Sequence, residues 1–135
     1  MSRPRGKITE CTPAEARERR DQARAFIDVA DMVLTESASR HEAQVAAALA
    51  VLAAIAAADA ICGLTLHRYS RGQDHAQAVE LPEKVSLEDT TLPGKLRRIL
   101  STKDSVHYSP HLVTHKDSRN LVRQARALVV AAERL

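Results

Sequence analysis

Apolar residues recur through most of this chain at helical spacing, and β-branched residues nowhere form an alternating, strand-like run. The first helix announces itself at Thr12. Pro13 suits a first turn, and Glu15 stands where a capping box places its acid. Ala16, Ala23, Phe26, Ile27, Ala30, Val33 and Leu34 then mark one stripe, which predicts a helix to about Thr35. Ser39 and Glu42 repeat the capping-box signature. From Val45 to Leu66 the chain is alanine-rich and apolar, with Asp59 its single charge. A helix apolar nearly all round belongs in the middle of something. This second helix is predicted to reach about His67, with Gly63 loosening its last turn.

Arg71-Gly72 reads as a turn. A short third helix is predicted from Gln73 or Asp74, with Ala76, Val79 and Leu81 apolar, and Pro82 ends it. Residues 82–91 read as a polar loop. Pro93 opens a fourth helix whose inner face is Leu96, Ile99 and Leu100. Ser109-Pro110 breaks the chain again. Thr114 caps a last helix, with Asp117 in its first turn. Leu121, Val122, Ala125, Leu128, Val129, Ala132 and Leu135 form its stripe. Residues 1–11 are expected to be a disordered basic tail. Residues 12–135 are expected to form one domain, an all-α antiparallel bundle of four to five helices.

Composition agrees with close helix packing. Among 135 residues there is no Trp, one Phe and two Tyr. Charge is uneven. Residues 25–67 carry one cation, Arg40, against five acids, whereas residues 68–135 carry twelve cations against eight acids. The C-terminal half therefore offers a basic surface for phosphate. Cys11 and Cys62 lack metal-ligand spacing and read as reduced thiols of a cytoplasmic protein. The start, Met1 to Lys7, lacks the apolar core of a signal peptide. Val45–Leu66 is long enough to cross a membrane. Its alanine content, Asp59 and the missing aromatic belt make it a core helix instead.

The chemistry-bearing residues gather near chain turns. Asp59 inside an apolar helix needs a partner, and Arg68 or His75 are the nearest in sequence. Lys103 and His107 are four apart, on one face of any helix that holds both. His107, His111 and His115 repeat every four residues, but Pro110 interrupts the row, so no metal and no cofactor is expected. Arg119, Arg123 and Arg126 line one side of the last helix. Tyr69 and Tyr108 are the aromatic rings that lie beside basic residues, as base stacking requires.

This layout resembles the HEPN family of small helical bundles. The likeness starts with Ala23 to Asp31 in a first helix and Ala56-Ala57-Ala58-Asp59-Ala60 in a central one. A glycine-containing turn with Asp74-His75 follows, and Leu96 to Leu100 leads into Lys103-Asp104-Ser105-Val106-His107-Tyr108. It ends with the helix bearing Leu121-Val122 and Ala125 to Ala132, and so covers roughly residues 14–135. Many HEPN proteins are metal-independent ribonucleases with an Arg and a His near the last two helices. Here Lys103 stands in place of the Arg, and three residues separate it from His107. A literal Arg-to-His match, Arg68 to His75, lies between helices two and three.

The resemblance implies two readings, and close alanine packing permits a third. The first is a bundle that binds RNA or a cognate protein such as an antitoxin, in a toxin–antitoxin or phage-defence setting, without robust catalysis. Arg68, Arg71, His75 and Tyr108 would then contact RNA. The second is a ribonuclease in which His107 acts as base, helped by Lys103, which neutralises phosphate, and by the Arg68–His75 turn, with Asp59 orienting the imidazole. The third is a homodimeric interaction module that buries the rest of the alanine-rich face. Common to all three is one expectation: that the end of the central helix and the Lys103–Tyr108 segment face a shared cleft.

Overall fold

The computed structural model describes residues 8–70, 89–108, 110 and 113–135. In chain order these form β1 (Ile8–Glu10), α1 (Pro13–Val33), α2 (Arg40–Leu66), β2 (Arg68–Ser70), α3 (Leu92–Ser101), α4 (Lys103–Tyr108) and α5 (His115–Glu133). The fold is an all-α helical bundle.

The helices begin where their caps are. The Thr12 hydroxyl accepts from the Glu15 N–H at 3.1 Å, and the Glu15 carboxylate accepts from the Thr12 N–H at 3.0 Å. Ser39 and Glu42 make the same reciprocal pair at 3.1 and 2.8 Å. Thr114 accepts from the Asp117 N–H at 3.0 Å. Each bond satisfies an N–H that the helix itself leaves without a partner. At its other end α2 stops on His67, whose left-handed backbone (φ 58°) turns the chain. The predicted third helix, 73–81, lies outside the described residues.

α1 and α2 form an antiparallel pair, and α5 lies against both. α2 supplies most of the core through Ala46, Ala50, Ala53, Ala57 and Ala60, all buried. Alanine lets helix axes approach closely and holds a helix well. α5 answers with Val122, Ala125, Leu128, Val129 and Ala132, and α3 adds Leu92, Leu96, Ile99 and Leu100. α2 is long and apolar enough to cross a membrane, and 67% of its most apolar stretch is buried inside the protein.

Four expectations need correction. Residues 8–11 are not a disordered tail: β1 pairs antiparallel with β2, Ile8 opposite Ser70 and Glu10 opposite Arg68, and Cys11 is buried. The strand's partner lies some sixty residues away, so no local pattern announces it. Gly63 does not loosen α2. A Cβ there would fall 2.7 Å from Cys11 Sγ and 2.9 Å from Ala16 Cβ, so glycine permits close contact with the start of α1. The fourth predicted helix is two pieces, because Thr102 turns back to the Ile99 carbonyl through both its hydroxyl and its N–H. Leu135 lies beyond α5 and is exposed.

Candidate functional site

The Lys103–Tyr108 segment is the short helix α4, held against the start of α2 by one side chain. The Gln44 amide donates to the Val106 carbonyl and accepts from the Val113 N–H, the latter at 2.8 Å. One residue thus satisfies a donor and an acceptor on either side of the α4–α5 connection. Below it, the buried Ser118 hydroxyl donates to the Ala43 carbonyl at 2.7 Å. His115 Nε2 lies 3.0 Å from the Thr35 carbonyl. These polar contacts fix the α4 end of the bundle.

Val106 is buried, which turns His107 partly inward and leaves Tyr108 outside. His107 Nε2 is buried, with no hydrogen-bond partner among the described residues. Burial, then the positive charge of Lys103, hold the imidazole below its ordinary value, with Asp104 opposing weakly. Tyr108 is 77% exposed, and its ring centroid lies 6.0 Å from that of His107 at a 45° tilt. Lys103, His107 and Tyr108 therefore form one patch: a cation, a neutral imidazole and an exposed ring.

Asp59 is not part of that patch. Its carboxylate accepts from Arg19 Nε on α1 at 3.0 Å, with 14% of the Asp59 side chain exposed. A cation from the facing helix thus meets this acid, which the sequence did not foresee, and His75 lies outside the described residues. Asp59 does raise the Cys62 thiol, and Arg68 lowers it, though burial dominates and pushes Cys62 up to about 12. Asp59 and Arg68 therefore share the C-terminal end of α2. An α-helix rises about 1.5 Å per residue, so Asp59 lies about 22 Å along α2 from the Gln44 clamp. The common cleft expected from the sequence does not form between Asp59 and His107. The two groups sit at opposite ends of the bundle because α4 follows α3 back to the start of α2.

Arg68 instead edges an open cavity of about 560 Å³ with Glu10, Cys11, Glu15 and His67. Glu15 is held by its cap, and the walls carry both signs of charge. Arg71 and His75 lie outside the described residues, and so does His111 of the histidine row. Among the described residues, no group of three or more His, Cys, Asp or Glu side chains comes together to hold a metal ion. The arginine stripe of α5 is partly occupied: Arg126 pairs with Asp31 of α1, Arg123 bonds Asn120, and Arg119 is exposed.

Sequence reasoning missed Gln44, Ser118 and Arg19. Ser118 carried a signal: it is a polar residue on the apolar stripe one turn before Val122. Gln44 and Arg19 carried none, since each is a solvent-type residue on an amphipathic helix. No protein-family model, curated protein or solved structure matches this chain.

Proposed function

We propose that this chain is a HEPN-like, non-catalytic helical bundle that holds single-stranded RNA at the α4 end, in the cytoplasm and in a toxin–antitoxin or phage-defence setting. One observation carries the reading: Tyr108 is 77% exposed beside His107, on the short helix that also bears Lys103. An exposed aromatic ring beside a cation is what a splayed base and its phosphate need. His107 suits stacking and hydrogen bonding, since its depressed pKa keeps the ring neutral at pH 7. Catalysis would need a second proton-transfer group within reach. Asp59 is about 22 Å along α2 from the clamp that holds α4, and Lys103 supplies only a point charge.

Binding of a labelled oligouridine to the purified protein, at about 50 and 200 mM salt, tests this. Affinity should fall with salt, because neutralising phosphates releases counterions. Tyr108→Ala should weaken binding about 5- to 150-fold, the loss of one stacked base at about 1–3 kcal/mol. No detectable binding at low salt overturns the RNA reading and leaves a cognate protein as the partner. RNA cleavage that His107→Ala abolishes would instead make the chain a ribonuclease.

A further inference from the structure

α4 is six residues long, too short to persist as a helix unaided. The turn at Thr102 separates it from α3. Val106 is its one buried side chain. Gln44 supplies a second hold, its amide bridging the Val106 carbonyl and the Val113 N–H. A segment held by so few buried contacts opens locally well before the fold does. Yet this helix carries a buried polar atom, His107 Nε2, that nothing satisfies among the described residues. Once protonated, that nitrogen is a charged donor with no acceptor. The neighbouring elements do not supply one. From α2 comes the amide of Gln44, already engaged on both sides. The first turn of α2 also brings Arg40, His41 and Glu42, and Glu42 is committed to its cap. α3 brings Arg97 and Arg98. The start of α5 brings Lys116, Asp117 and His115, the last against the Thr35 carbonyl. None of these acts on the imidazole. Lys103 and Asp104 of α4 itself do, and the cation outweighs the acid.

We infer that α4 is an acid-opened latch: protonation of His107 releases α4 from α2, breaks the Gln44 bridge and disperses the Lys103–His107–Tyr108 patch. The docked position accepts only the neutral ring, so the open position gains population as pH falls. As regulation of the RNA site this rests on the reading above, whereas the latch itself does not. The latch also sets a direction that charge attraction alone does not. A protonated imidazole beside phosphate would hold RNA more tightly in acid. A released α4 holds it less tightly.

Amide exchange at Val113, followed by NMR from about pH 7.5 to about pH 5, reads the Gln44 bridge directly. After correction for slower chemical exchange in acid, its protection should fall by up to about tenfold per pH unit, the limit for one linked proton. The midpoint should match the titration of the His107 ring. His107→Gln should abolish the fall, while His115→Gln should keep it. Should His107→Gln disturb the docking of α4, the match of the two native midpoints decides. Constant Val113 protection while the ring titrates overturns the latch, because the ring then turns outward without moving the helix. A fall that persists in His107→Gln, or a ring that stays neutral throughout, also overturns it. Affinity for oligouridine should fall together with Val113 protection. Affinity that holds or rises while protection falls overturns the regulation of the site. Absence of oligouridine binding at every pH overturns the RNA reading, and Val113 still decides the latch.

Discussion

Gly63 shows how one missing carbon can decide a contact. An added Cβ would press on Ala16 Cβ at 2.9 Å, which has no rotamer to move, and on Cys11 Sγ at 2.7 Å. Helix propensity favours Ala over Gly by about 1 kcal/mol, while overpacking costs about 1–3 kcal/mol. Gly63→Ala should therefore lower stability by up to about 2 kcal/mol, against what propensity alone predicts, and urea denaturation measures it. His107 matters through its proton. The folded protein holds this imidazole below 6.5, so the unfolded chain takes up the proton first. Its contribution to stability is complete above about pH 6.5 and declines as pH falls toward the folded value. The difference in urea midpoint between the native protein and His107→Gln should change between pH 7.5 and 5.5, with native losing more. Equal losses would show that burial of the ring costs nothing on protonation.

Among the elements, α1 and α2 owe their starting points to reciprocal caps. Ser39→Ala removes the acceptor for the Glu42 N–H and should cost about 1 kcal/mol. Glu15 and Glu42 are held below 4.5 by backbone and hydroxyl hydrogen bonds from Thr12 and Ser39. Their contribution is present above that value and lost as pH falls through the lowered one. Thermal melts of Ser39→Ala at pH 7 and pH 3 should therefore converge toward the native curve in acid. These starts were legible because a capping box is local: both partners lie within one turn. The break at Thr102 was not, because Lys103 and His107 keep helical spacing across it. The β1–β2 pair was not legible either, since three residues find their hydrogen bonds only on a strand far along the chain.

For the whole molecule, charged contacts tie α1 to both α2 and α5. Arg24 spans to Glu133 at 2.5 Å and to Asp28 at 3.2 Å, and Arg126 pairs with Asp31. Exposed pairs of this kind stabilise by no more than about 1 kcal/mol each, so they orient α1 against α5 rather than hold the fold. The core is the alanine face of α2, packed against α1, α3 and α5. Sequence determined the starts of α1, α2 and α5, their caps and the central place of α2, because periodicity and capping act over a few residues. Tertiary structure alone decided which cation meets Asp59, that His107 lies at the far end of α2, and that a glycine serves contact and not freedom. Those outcomes depend on how helices register across space, and spacing along one helix carries no record of what stands on the next.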